Sequence, residues 1–274
     1  MVELIKKSFK LKFTVAFYFL IAFLSGCASI DLTLPIAEIE SPRHQGRKTG
    51  WGLDFAGGSS KKLSLVADPS ARPIDLENTK HSTANLFLTK NGINYYFWER
   101  VSLSGILIDS KNPALRLKVS LLGGYKEDSQ VGEWYASLYA EGAYQLAEAA
   151  GGQLGLSTAS GSPWSGKSTL TSGAGGVSLG LQIFKKVLPF IGVNFQQFQT
   201  SGQIIQKAAA SDSGGNYNIS VENGMVTTYG FGLDYRPNPR FYIVPQVYYY
   251  SLKWYENSYS EVGGSIKLLY VPVQ

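Results

Sequence analysis

Apolar–polar alternation repeated along residues 93–272, connections that swing between short and long, and aromatic residues gathered at segment ends predict an all-β chain. The architecture they favour is an antiparallel transmembrane β-barrel of eight strands, with short periplasmic turns and long extracellular loops. Two weaker segments near 50–57 and 61–67, with a third at 84–90, raise the count to ten if they join the barrel.

The alternation is clearest in "ALRLKVSLL" (114–122), where Leu115, Leu117, Val119 and Leu121 point one way and Arg116, Lys118 and Ser120 the other. "WYASLYAEGAYQL" (134–146) sets Trp134, Ala136, Leu138, Ala140 and Tyr144 against Tyr135, Ser137, Tyr139, Glu141 and Gln145. "VSLGLQI" (177–183), "IGVNFQ" (191–196), "TYGFGLDY" (228–235) and "EVGGSIKLLY" (261–270) repeat the scheme. With two less regular stretches, 93–109 and 239–253, the count from residue 93 is eight. No helical period takes over anywhere in this region.

Between these segments, "KKVLP" (185–189) and "RPNPR" (236–240) are tight, whereas 147–176 and 201–224 are long, polar and rich in Gly and Ser. Aromatic residues favour the two membrane interfaces. Tyr95, Tyr96, Trp98, Tyr125, Trp134, Phe184, Phe190, Tyr235, Phe241 and Tyr270 lie near one set of segment ends; Tyr144, Phe198, Tyr250, Trp254 and Tyr255 lie near the other. A water-soluble β-sandwich would also use aromatics, but in its core rather than at strand ends. By parity, Arg116, Lys118, Glu133, Glu141, Asp234, Glu261 and Lys267 share the polar face, which in a barrel lines a narrow lumen where charges must pair. A hairpin turning between Tyr125 and Gly132 puts Arg116 opposite Glu141.

The amino terminus reads as an export signal. Lys6, Lys7, Lys10 and Lys12 precede the apolar run "FTVAFYFLIAFL" (13–24), which is short for a membrane-spanning helix. With Glu3, residues 1–26 hold a net +3 of the chain's +5, so the remainder is nearly neutral and no nucleic-acid partner is expected. The run ends in "LSGC" (24–27), around the single cysteine of the chain, and resembles the lipobox of bacterial lipoproteins. That resemblance implies cleavage before Cys27, a lipid on Cys27, and, with Ala28 rather than Asp next, sorting to the outer membrane. The expected organisation is a signal over 1–26, a periplasmic tether over 27–48, additional strands or the barrel start over 49–92, and the barrel over 93–272.

As a pattern of strands, 93–272 resembles the small OmpA/OmpX-type and OmpW-type barrels of Gram-negative outer membranes. "EVGGSIKL" (261–268) is similar to their barrel-assembly signal, although the chain ends in "YVPVQ" rather than in an aromatic residue. The resemblances imply outer-membrane lipids, the barrel-assembly machinery and the lipoprotein-sorting machinery as partners.

Little in the chain suggests catalysis. Gly161, Gly166, Lys167 and Ser168 match a phosphate-loop pattern, but no buried strand precedes them and a Gly-rich β segment follows, so no nucleotide is expected. There is no Cys/His cluster with metal spacing, no cofactor motif, and only two histidines, His44 in the tether and His81 in a loop. Exposed aromatics at Trp164, Trp254 and Tyr255 are candidate surface contacts. The expected role is a non-enzymatic envelope protein, whether structural, surface-interacting or a narrow pore. A rim enzyme acting on lipid through His81 and a peripheral lipoprotein with a soluble β domain are the alternatives.

Overall fold

The computed structural model describes residues 28–35, 38–44, 49–67, 80–123, 130–151, 164–206, 215–255 and 257–272. Its strands in chain order are β1 (Ala28–Thr33), β2 (Gly50–Ala67), β3 (Lys80–Trp98), β4 (Val101–Ile108), β5 (Asn112–Leu122), β6 (Trp134–Gly151), β7 (Trp164–Leu181), β8 (Val187–Gln206), β9 (Gly215–Asn238), β10 (Phe241–Trp254) and β11 (Asn257–Tyr270). Strands β2 to β11 pair antiparallel in sequence order, and β11 returns to β2, closing a barrel of ten. The eleventh strand, β1, lies outside this ring order and pairs only with the far part of β2.

The count of ten has two local causes. Residues 50–57 and 61–67 form one strand, because "GGSSKK" stays in the ladder, Gly57 to Lys62 pairing with Thr89 to Ala84. The stretch 93–109 is two strands, not one. β3 and β4 turn back at Glu99 and Arg100 without Gly or Pro to mark the reversal, and the ladder shifts between Tyr96 and Trp98. The upstream region 49–92 is therefore the barrel start.

The ends of β2, β6 and β8 and the starts of β3, β7 and β9 lie at one mouth of the barrel, the loop mouth. The turns at 99–100, 182–186 and 239–240 define the other, the turn mouth. The expected length asymmetry holds only in part. Two reversals at the loop mouth are tight: β10 and β11 already pair at Trp254 and Asn257, and at 109–111 Asp109 and Ser110 adopt the positive φ of a type I′ turn and Lys111 N–H donates to Ile108 O at 3.1 Å. Much of the long loop expected over 147–176 is strand, since β6 runs to Gly151 and β7 starts at Trp164.

Polarity inverts along the barrel axis. Toward the turn mouth, Ile191 and Phe195 of β8 face outward while Asn194 and Gln196 are buried inside; Leu115 and Leu117 of β5 face outward while Arg116 and Lys118 are inside. Toward the loop mouth the interior turns apolar and the exterior becomes mixed. Phe198, Leu170, Leu88, Val226, Tyr250, Leu252 and Trp254 turn inward and pack with Ile30, Leu32 and Leu34, while Gln197, Gln199 and Lys253 are exposed beside Phe87, Leu146 and Val221. An apolar exterior over a polar interior suits surrounding lipid, and an apolar interior under a mixed exterior of polar and scattered apolar groups suits surrounding water. β6 to β9, at 18 to 24 residues, are about twice the span a bilayer needs, so their ends build this wet extension.

The aromatic placement follows the same division. Trp51, Tyr95, Phe97, Trp98, Trp134, Phe184, Tyr235 and Phe241 are exposed around the turn mouth. Tyr96 and Phe190, expected among them, are buried inside instead. At the loop mouth Phe198, Tyr250 and Trp254 leave the expected girdle for the luminal core, because they share parity with Gln196, Gln246 and Tyr248. No helix among the described residues is long and apolar enough to cross a membrane.

Candidate functional site

A ten-stranded barrel encloses more space than its own side chains fill. Here the remaining space is taken by the chain itself. Beyond β1 at the loop mouth, residues 34–35 and 38–44 lie inside the lumen, in sequence ahead of β2, which starts at Gly50 at the turn mouth. The segment expected to be a periplasmic tether is thus a luminal plug: Leu34, Glu38, Ile39, Glu40, Ser41, Arg43 and His44 are all buried.

Each level of the barrel contributes a grip. Leu34 N–H donates to Lys61 O at 2.9 Å, and the Gln145 side chain accepts from Thr33 N–H at 2.9 Å across the mouth. Lower down, Gln246 holds both backbone groups of Ile39, accepting from its N–H at 3.0 Å and donating to its carbonyl at 2.8 Å. A side-chain amide here replaces the neighbouring strand that an extended residue would otherwise need. Near the turn mouth, Ser41 Oγ donates to Asp234 at 2.5 Å, Arg43 reaches Gln182 at 2.6 Å and Asp234 at 3.4 Å, and the His44 ring stands edge-on to Tyr96 at 5.2 Å.

The centre is electrostatic. Arg116 binds Glu141 through Nε at 2.8 Å, Glu38 through Nη2 at 3.0 Å, and Glu40 through Nη1. Lys90 donates to Glu38 at 3.3 Å, and Lys267 reaches Glu40 at 3.1 Å and Asp54 at 3.3 Å. Lys118 donates to the Arg43 carbonyl at 2.7 Å. Every one of these four cations on the wall therefore bonds an oxygen of the plug. Arg116 also lies 5.8 Å from the centre of the Tyr139 ring, whose hydroxyl donates to Glu38 O at 3.2 Å.

Of the charges expected in the lumen, Arg116, Lys118, Glu141, Asp234 and Lys267 converge around the plug. Arg116 and Glu141 are directly paired in the β5–β6 register. Glu133 lies instead at the turn mouth, accepting from the Tyr135 hydroxyl at 3.0 Å, and Glu261 lies toward the loop mouth with Lys61 and Asn85. Glu38, Glu40 and Arg43 escaped the sequence reading because the plug has no strand period, and Lys90 and Asp54 because their strands were only weakly marked.

Trp254 is not a surface contact; it is 1 % exposed, inside the loop-mouth core. Tyr255 is half exposed on the hairpin between β10 and β11 and borders, with Gln197, Gln199, Asn223 and Lys253, an open groove of about 670 Å³. Trp164 opens β7, with its side chain outside the described residues, as are Cys27, residues 1–26 and the His81 side chain. From Trp164 to Ser168 the phosphate-loop match is strand. Over these residues the backbone is paired with β6 and β8, and Lys167 pairs with Glu148 at 2.8 Å, so Trp164 to Ser168 offer no free row of N–H groups to cradle a phosphate; 161–163 lie outside the described residues. Among the described residues no three metal-ligating side chains gather.

Two glycines shape the notch for Ile39. A Cβ on Gly192 would stand 2.4 Å from Ile39 Cγ2 and 2.6 Å from the Val177 carbonyl; one on Gly230 would stand 2.8 Å from Ile39 Cδ1. Gly192→Val is expected to destabilise the fold by about 1–3 kcal/mol through overpacking and to expose the Arg43–His44 bond. Limited trypsin digestion should then cut after Arg43 in the variant and spare it in the wild type. Equal protection in the two proteins would mean the plug does not seat in this notch.

No family model matches the chain, and no curated protein matches it. Among solved structures it is similar to Ail, the attachment invasion locus protein of Yersinia pestis, at 11 % identity over 80 % of this chain and 95 % of that one, with a TM-score of 0.30. It is similar to the outer membrane protease OmpT from Escherichia coli at 9 % identity over 88 % and 93 %, with a TM-score of 0.38. Neisserial surface protein A is similar at 14 % identity over 81 % and 98 %, with a TM-score of 0.29. Likeness at this level transfers no activity, so the function of the chain is argued from its own residues.

Proposed function

We propose that this protein is an outer-membrane β-barrel, lipid-anchored through Cys27, that serves the envelope without catalysis in a structural or surface-interacting role. Its narrow lumen is closed by its own amino-terminal segment. The observation that carries this reading is the axial inversion of polarity: an apolar exterior around a charged interior, passing into a wet, apolar-cored extension at one mouth. Lipid is the surrounding that makes the first half stable, and an antiparallel sheet without open edges can cross it. Outer-membrane lipids, the barrel-assembly machinery and the lipoprotein-sorting machinery are the partners this reading requires.

The test combines two measurements. Unboiled protein in detergent should migrate differently from boiled protein on a gel, as a closed membrane barrel does. Cys27→Ser should lose incorporation of labelled fatty acid yet remain in the membrane after carbonate washing. A soluble β domain would show no heat shift and would leave with the carbonate once Cys27 is replaced.

A further inference from the structure

The luminal charges divide unevenly between wall and plug. At the central belt the wall contributes four cations, Lys90, Arg116, Lys118 and Lys267, and three carboxylates, Asp54, Glu141 and Asp234. The plug contributes Glu38, Glu40 and Arg43, which brings the set to neutrality. The wall's carboxylates are engaged as well: Glu141 by Arg116, Asp54 by Lys267, Asp234 by Ser41 and Arg43. What the plug supplies to the four wall cations is oxygen acceptors, two carboxylates and one carbonyl.

From this we infer that the belt is an anion-binding constriction whose resting occupant is the chain's own pair of carboxylates, Glu38 and Glu40, and that withdrawal of the plug opens an anion-selective path for small carboxylate or halide solutes. The inference goes beyond the structural or surface-interacting role and rests on the barrel being membrane-spanning.

Three features support an occupant that can leave, as opposed to one built permanently into the core. The plug makes no continuous ladder below β1; Ile39 is held by one side-chain amide where a strand would have paired its whole backbone. The opposite wall, formed by Asn194, Gln196, Thr228 and Gln246, is neutral and polar, so water can enter beside the cations without leaving a charge unsolvated. Buried polar atoms remain without hydrogen-bond partners along the segment, among them Glu38 Oε2 and Arg43 Nε, so the contact set is incomplete on the plug side.

With the segment displaced, Arg116 and Lys90 keep Glu141 and Lys267 keeps Asp54, but the oxygens of Glu38, Glu40 and the Arg43 carbonyl are gone and the wall is left with one net positive charge. A lumen whose low-dielectric wall is net positive favours anions over cations.

The experiment uses the full-length protein in planar bilayers under a potassium chloride gradient. Wild type should be closed most of the time. Glu38→Gln with Glu40→Gln should raise the open fraction by roughly tenfold to a hundredfold, since each substitution removes charge-assisted hydrogen bonds that hold the plug. The reversal potential should report chloride passing in preference to potassium. A second variant, Ser41→Cys with Asp234→Cys in a Cys27→Ser background, ties the plug to the wall where the two side chains already meet; oxidation should abolish openings and a reductant should restore them. A double Gln variant that keeps the heat shift but stays closed, or opens in favour of potassium, overturns the anion path and leaves the membrane barrel standing. If the Gln variant does not fold, openings that persist in the oxidised cysteine variant overturn it equally. A wild type with no heat shift removes both readings.

Discussion

Replacing Arg116 with Ala is expected to destabilise the protein by about 3–5 kcal/mol, the cost of leaving buried charges without their partner. Arg116 is 3 % exposed and serves three carboxylates: Glu141 on the adjacent strand and Glu38 and Glu40 on the plug. Lys90 and Lys267 would remain, but they also answer to Glu141 and Asp54, so the truncation leaves four acids sharing two ammonium groups. Loss of the guanidinium should therefore weaken both the β5–β6 wall and the plug. The urea midpoint of the heat-shifted band in detergent measures the first, and tryptic cleavage after Arg43 the second. Arg116→Lys should recover only part of the loss, because one ammonium cannot reproduce a planar fork that reaches three acceptors. An Ala variant within about 1 kcal/mol of wild type would show that the ion network contributes little net stability, as fully compensated buried pairs can.

One residue further along β5 the same chemistry has the opposite setting. Leu117 faces outward, 45 % exposed and paired in register with Ala140. Leu117→Arg is expected to cost about 2–4 kcal/mol, the penalty for a cation on the lipid face near mid-membrane. The matched control is Gln199→Arg on the outer face of β8, in the wet extension, where a surface change should stay within about 0.5 kcal/mol. Folding yield into detergent micelles and the urea midpoint both read the difference. Equal costs at the two positions would place the lipid boundary elsewhere, and no cost at either would argue that no lipid surrounds the barrel.

The pair 116/117 also shows how much could be read from sequence. Where alternation was strict, as in β5 to β8, parity alone assigned inside and outside, and it aligned Arg116 with Glu141 across a turn. Where it failed, the reason was local. "FWERVS" reverses direction with no Gly or Pro, so β3 and β4 merged into one segment. Trp254 and Tyr250 were placed by their nearness to a strand end, although parity with Gln246 already pointed them inward. The plug was hidden for a different reason. "EIESPRH" (38–44) has the composition of an exposed linker, and its burial depends on wall cations far away in sequence. The one available hint lay in the wall itself: a lumen needs its charges matched, and the cations on β3, β5 and β11 exceed the wall acids that face them.

The seam between β2 and β11 carries a consequence for how the protein is made. Only six residue pairs join them, Leu53 with Tyr270 through Gly58 with Ser265, and beyond these β2 turns to β1 as its partner. Leu53 and Tyr270 stand near opposite ends of the described chain, so their pairing is among the most non-local contacts in the fold and among the last a growing chain can make. The occupant of the lumen hangs from that same β2. Its contacts with β5 and β9, among others, form while the cylinder is still open, since β1 would otherwise have to enter a mouth already crowded by Trp254, Phe198 and Leu170. Assembly order follows from this: the barrel closes around its contents, and the final zipper of six pairs seals in what the first strands have already brought.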